Sequence, residues 1–213
     1  MYAIGHVALG YLVGKIISRA TDHNLNTPLI WSVSLLPDID FIIPGLQHRG
    51  PTHSIIITLL FFTPLLLIRF QKTAPYFAAM VSHFMIGDYI TGDGAMIFWP
   101  LSSEFIKYHM PIQMGGSFEI QIELALFAII LVIMTISKEF HHLFHYEKRN
   151  LILSVPIFTI ILPAMYKYPI KIPDILIIPH LILLSIILLS LSISIIQILS
   201  RAQKVNEKWR SQP

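Results

Sequence analysis

The chain has 213 residues, of which 54% are hydrophobic and only 13% charged, with a mean hydropathy of +0.68. That is about half the charge of an ordinary soluble domain, and too little polar surface to cover a core in water. The net charge of +3 comes without a basic run long enough to follow a phosphate backbone, so a soluble globular fold, a disordered chain and a nucleic-acid-binding module are excluded.

Taken in chain order, the segments read as an all-α, polytopic membrane helical bundle. The first residues have no charged lead and no small-residue cleavage site, so no signal peptide is expected. Ala3 to Ser18 reads as an amphipathic helix that does not span, because Val7, Leu9, Leu12, Val13 and Ile16 are interleaved with Gly5, Gly10, Gly14 and Lys15. Asn24 to Pro37 is the weakest candidate span. Ser54 to Ile68, Thr73 to Gly87, Leu124 to Ser137 and Leu151 to Tyr166 are apolar stretches able to span with their flanks. Ile175 to Ser200 is the clearest, since a spanning helix needs roughly 20 apolar residues. Pro64, Pro156, Pro163 and Pro179 are expected to kink their helices. Thr91 to Phe118, rich in Gly and Pro, reads as a long functional loop. The expectation is one integral membrane domain over 1–213 with about five to seven helices. Residues 1–105 form its metal-site part, and 106–213 the long loop and the C-terminal membrane helices.

The polar residues of the first half gather at segment ends. Ionisable groups at membrane depth are costly and mark functional sites by default. Leu36-Pro37-Asp38-Ile39-Asp40 ends one run with two carboxylates, which in an extended turn point the same way, as a paired metal site needs. His48-Arg49-Gly50-Pro51-Thr52-His53 places two imidazoles five residues apart. Pro51 suits the first position of the next helix, with His53 in its first turn. His83 and Asp88 are also five apart, an offset of about 140° on a regular helix. One shared site therefore requires a distortion near Gly87, or else two separate metals.

His and Asp without Cys form a nitrogen–oxygen ligand set that suits Zn²⁺, Mn²⁺ or Fe²⁺. Seven candidate ligands (His6, Asp38, Asp40, His48, His53, His83, Asp88) exceed the four of one tetrahedral zinc, so two or more divalent ions are expected, zinc first. Asp38 or Asp40 is the candidate general base, and Arg49 the guanidinium that holds phosphate oxygens. Thr52 is a cap or a donor to a ligand, and Asp93 a loop residue near the site. Glu119 and Glu123 sit one turn apart at the head of an apolar helix, as dipole partners or as a further ligand or base. His141, His142 and His145, set among charges, read as an interfacial loop. His180 reads as a buried hydrogen bond, and His109 as a loop residue within reach of the site. Trp99 and Trp209 fit an interfacial belt.

Gly5-His6, Leu35 to Asp40, His48 to Ser54, and His83-Phe84 followed by Asp88, Thr91, Gly94, Trp99 and Pro100 resemble the YdjM-type membrane-bound metal-dependent hydrolases. That family is also described as LexA-binding, inner-membrane-associated hydrolases. The resemblance covers roughly residues 1–105. It implies a helical membrane protein with a metal-dependent hydrolase site, distantly similar to zinc-dependent phospholipases C.

The expected function is metal-dependent hydrolysis of a phosphoester in a lipid or amphiphile, with membrane lipid as the partner. The alternative is a metal-binding membrane protein without turnover, a transporter or scaffold. Lys15, Arg19, Arg69, Lys72, Lys138, Lys148, Arg149 and Arg201 to Arg210 fall at alternate hairpin ends, so the positive-inside rule puts the metal site on the outer face of the cell membrane and the C-terminus in the cytoplasm.

Overall fold

The computed structural model describes residues 1–91, 94–107, 112, 114–145, 148–166 and 171–210, without the side chains of 91 and 205–210. The fold is all-α. Among the described residues the only strand-like pairing is an isolated bridge between Ala95 and Ile106.

Helix α1 (Ala3–Ala20) forms the axis of the bundle. Ile4, Val7, Ala8 and Tyr11 are fully buried on it. Its small residues let neighbours come close: a Cβ on Gly10 would lie 2.0 Å from Ser34 Oγ on α2 (Thr27–Leu35). The chain reverses after Thr21, with Asp22 at φ 49°, and α2 starts where the Asn26 side chain accepts from Leu29 N at 3.0 Å. Nine residues reach about 14 Å, so Asn24 to Pro37 is not a span. Asn26 and Pro28 start the helix late, and from Leu36 the backbone tightens into a 3₁₀ turn over Leu36–Ile42.

The next apolar segments form a hairpin within a single long helix, α3 (Ile55–Ser82). Its backbone breaks at Arg69, at φ −144° and ψ 58°. Phe62 and Phe77 stack edge-to-face with ring centroids 5.6 Å apart. In a straight helix residues 15 apart are separated by about 22 Å. Thr73 Oγ1 also donates to Leu65 O at 3.2 Å, so the second limb runs back along the first. The expected kink at Pro64 is not the hinge. Pro64 stays helical, and the turn falls in the polar stretch Arg69 to Lys72, where Pro75 removes the donor that the Gln71 carbonyl would use. This fold-back returns His83 to the level of His53.

Helix α4 (Ser117–Ile136) takes up the end of the expected long loop, so Phe118 is helical. The short α5 (Glu139–Leu143) follows. Lys148–Met165 is a composite of 3₁₀, α and π turns, its π turn Ile157–Ile161 flanked by Pro156 and Pro163. Helix α6 (Asp174–Arg210) keeps Pro179 inside it. Four stretches are long and apolar enough to cross a membrane: Ile55–Asp88, Ser117–Ile136, Lys148–Met165 and Asp174–Lys204. Their outward residues, among them Leu60, Leu67, Ile178 and Ile196, are exposed and apolar, as a lipid solvent requires. The buried faces of α1, α2, α4 and α6 supply most of one continuous core, joined by Ile157, Ile160 and Ile161.

Candidate metal centre

Several element ends at one pole of the bundle bring polar side chains inward. His6 comes from the first turns of α1, Asp38 and Asp40 from the 3₁₀ turn after α2, and His53 from the 3₁₀ turn Pro51–His53. His53 thus precedes α3 rather than opening it, because Ser54 is the cap, its Oγ accepting from Ile56 N and Ile57 N. His83 and Asp88 lie on a π-helical turn, His83–Asp88. With i→i+5 bonding, residues five apart share a face, which supplies the distortion that their spacing demands. Gly87 belongs to that turn for a steric reason: a Cβ there would lie 2.7 Å from His6 Cε1.

The donors converge. His53 Nε2 lies 3.5 Å from Asp38 Oδ1 and 3.3 Å from Asp88 Oδ2. His83 Nε2 lies 3.4 Å from each of the same two oxygens. A tetrahedral ion with 2.0–2.1 Å bonds holds its ligand atoms about 3.3 Å apart. His6 stacks on His83 with centroids 3.6 Å apart, and its Nε2 is 3.6 Å from Asp88 Oδ1. Three overlapping triads could each hold an ion: His6, Asp38 and His83; Asp38, His48 and His53; and His53, His83 and Asp88. His53 Nε2, His83 Nε2 and Asp88 Oδ2 are buried without a hydrogen-bond partner. Buried polar atoms are rarely left so, and a shared cation would satisfy all three. The residues present fit a divalent metal.

The surroundings fix the rings. His83 Nδ1 donates to Ser34 O at 2.6 Å, which leaves the Nε2 lone pair toward the cluster. Asp40 stands outside the three triads. It accepts from Arg49 N at 3.0 Å and Thr52 Oγ1 at 2.9 Å, and lies 3.1 Å from His48 Nδ1 and 3.3 Å from His53 Nδ1. On a 3₁₀ turn residues two apart diverge, so Asp38 and Asp40 address opposite nitrogens of His53 instead of pointing the same way from an extended turn. A carboxylate on the far nitrogen is how metal-bound histidines are commonly oriented. Burial would raise the Asp38 carboxyl, but the His83 and His53 imidazoles beside it hold it well below the usual range. Asp40 is likewise opposed by burial and brought to about 2, chiefly by His48 and His53. Burial would discharge His53, yet Asp38, Asp40 and Asp88 keep its proton well above the ordinary imidazole range.

Arg49 is buried and holds φ 60°, with Nη2 3.1 Å from Asp88 Oδ1 and 3.5 Å from Met114 Sδ. Asp38, His48, Arg49 and Asp88 meet at a cavity of about 30 Å³ whose other walls include Tyr2, Phe41, Met114, Ile160 and Ala164. Glu119 and Glu123 are fully buried beside it, in none of the triads. Glu119 Oε1 is 3.2 Å from the Met1 amine, which is 3.8 Å from Asp88 Oδ1, and Glu123 accepts from Tyr2 N at 2.7 Å. The sequence flags this pair only through its one-turn spacing at a helix head. Their partner, the start of α1, and the covering residue Met114 have no local signal at all.

His141 and His145 stack at 3.8 Å at the opposite pole, apart from the triads, and His180 Nδ1 bonds Leu176 O at 2.7 Å. Asp93, His109 and the side chains of Thr91 and Trp209 lie outside the described residues.

A family model described as YdjM inner membrane protein matches residues 1–199, well beyond the roughly 105 residues that carry the motifs. No curated protein and no solved structure matches the chain.

Proposed function

The chain belongs to the YdjM inner membrane protein family, and from that premise we propose that it is a metal-dependent hydrolase of a phosphoester in a membrane lipid or other amphiphile. The observation that carries this reading is the buried set of imidazole and carboxylate donors with a guanidinium among them. One or more divalent ions, zinc first, would be held by His6, Asp38, His48, His53, His83 and Asp88, with Asp40 setting the His48 and His53 rings. Such a metal supplies Lewis-acid polarisation and acidifies water.

The chain's own groups do the rest. Arg49, whose Nε has no partner, offers a planar fork to phosphate oxygens. Asp40 has its oxygens taken up by Arg49 N, Thr52, His48 and His53, which leaves Asp38, on the cavity wall, to accept the proton of an attacking water. Tyr2, Phe41, Met114, Ile160 and Ala164 make the rest of the mouth largely apolar and exclude bulk water, as an amphiphile's stem would favour.

The narrowness of that mouth, about 30 Å³, is room for about one water. It favours the second reading, a metal-binding membrane protein without turnover. Detergent-purified, metal-loaded chain offered phospholipids and soluble phosphoesters separates the two. Product release abolished by chelator and by His48→Ala supports the hydrolase. Full metal content with no turnover of any ester or amide favours the transporter or scaffold.

We place the site on the outer face by the same charge rule as above. Lys15 and Arg149 line one cavity at the far pole, and Lys72 lies beside Tyr76, whose hydroxyl accepts from Asn26 N. A C-terminal reporter active only outside the cell would reverse this orientation.

A further inference from the structure

We infer that Gly5 and Glu123 form a clamp that positions His6 as a metal ligand, an assignment that rests on the metal reading above. Helix α1 starts without a cap of its own. Tyr2, in extended backbone at its head, makes no side-chain cap, and the first turn holds no acidic residue. The first N–H groups of a helix need acceptors from outside its own ladder. Here one comes from another helix, 121 residues on: Tyr2 N donates to Glu123 Oε1 at 2.7 Å. Glu123 on α4 thus does across two helices what the third residue of a capping box does within one.

The hold is passed on to the site. Tyr2 O accepts from His6 N at 3.1 Å, so the residue that Glu123 fixes is the one that bonds the His6 backbone. The His6 ring has a narrow place to occupy. It lies against the His83 ring, with centroids 3.6 Å and planes 12° apart, and over Gly87, where a Cβ would come 2.8 Å from its Nδ1. Glu123 is in none of the ligand triads, and it acts through His6 as a positioning residue. Gly5 makes the clamp sterically possible. A Cβ there would lie 2.8 Å from Glu123 Cδ and 2.9 Å from its Cγ and Oε2, closer than non-bonded carbons pack. Glu123 is fully buried, with little room to withdraw. The Gly5 backbone is helical, so the position uses the missing side chain and not a special conformation.

Two readouts on the full, detergent-purified chain test the clamp: zinc affinity by competition with a chromophoric chelator, and amide hydrogen exchange over the first turn of α1. Glu123→Ala is expected to weaken zinc about tenfold, as loss of a group that orients a ligand does, and to speed exchange in that turn. Gly5→Ala should do the same, although glycine to alanine favours an ordinary helix. Gly5→Ala combined with Glu123→Ala should be no worse than Glu123→Ala alone, because the added methyl then meets no carboxyl. Glu123→Gln, whose carbonyl can still accept from Tyr2 N, should recover part of the affinity. In a His6→Ala background neither substitution should weaken zinc further. Zinc affinity or exchange left unchanged by Gly5→Ala overturns the clamp, and so does a loss of affinity that persists without His6. If the native chain takes up no zinc, manganese or iron, the metal reading itself has failed and the clamp's role falls with it.

Discussion

At one pole Asp38, Asp40 and Asp88 lie buried among His6, His53 and His83; at the other, Lys15, Glu139, His142 and Arg149 line one cavity. The first pole is made of irregular backbone. It has a 3₁₀ turn on each side of the His48–Gly50 loop, a π turn at His83–Asp88, and a non-glycine residue, Arg49, held at φ 60°. Left-handed geometry in such a residue costs roughly 1 kcal/mol or more and persists where surroundings over-determine it. The second pole has two such residues, Asp22 at φ 49° and Lys138 at φ 57°, and the 3₁₀ turn Lys148–Leu153, so irregular backbone alone does not set the poles apart. The two settle their charge differently. At the metal end the carboxylates of Asp38, Asp40, Asp88, Glu119 and Glu123 are buried with the Arg49 guanidinium and the Met1 amine, so acidic groups outnumber the fixed cations. At the far end Lys15 and Glu139 already neutralise each other. A buried charge set of this kind is stable only when it is paired, and at the first pole the imidazoles or a cation held by them could do the pairing.

The comparison breaks first, and with the largest effect, if ligand loss at the metal end does nothing. His83→Ala removes a donor shared by two of the three triads, and bound metal per chain should fall to about a tenth or less. Elemental analysis of the purified variant reads this directly, and membrane insertion should persist. Full metal content would refute the ligand assignment. A smaller effect comes one layer out. Asp40→Asn keeps the shape but weakens the contact that orients the His53 ring, so metal affinity should drop by about 10–100-fold, as measured by competition with a chromophoric chelator. An Asp40 variant as deficient as His83→Ala would mean that Asp40 is itself a ligand.

These two residues also show how far the sequence could be read. The fold was legible because apolar runs of membrane length have few other uses. The spacing of His83 and Asp88 was informative because it conflicts with a regular helix, and the π turn answers that conflict. Asp40 was harder. Whether a carboxylate two residues from another shares its direction depends on whether the backbone is extended or 3₁₀, and Leu36-Pro37-Asp38-Ile39-Asp40 does not fix that. The fold-back at Arg69 was legible as the polar gap between the apolar stretches ending at Ile68 and starting at Thr73, whereas the kink expected at Pro64 is absent because a proline inside an apolar helix is tolerated. The burial of Glu119 and Glu123 depends on contacts some 120 residues away in the chain, and no local pattern encodes it.

The far pole supplies the smallest effect and the control. Removing one partner of a buried ion pair costs about 3–5 kcal/mol, but Lys15 is 20% exposed and the Gln carbonyl keeps one of the hydrogen bonds from Thr27 and Ser137. Glu139→Gln should therefore cost about 2 kcal/mol, which is about 5 °C in melting temperature for a chain of this length. The pH dependence has a definite sign. Burial would raise the Glu139 carboxyl, but the bonds from Lys15 and Thr27 hold it below the ordinary glutamate range. A group whose pKa is depressed by folding contributes stability that is present above its unfolded pKa, about 4.3, and lost as pH falls through the folded value. The gap between native chain and Glu139→Gln should thus be full at neutral pH and close on acidification below about pH 4. Thermal melts across that range measure it. Metal content of the variant should equal that of the native chain, because its contacts are all at the far pole. A Glu139→Gln chain that melts normally but has lost its metal would show that the poles are coupled through α1, which carries both His6 and Lys15, and the division between them would not hold.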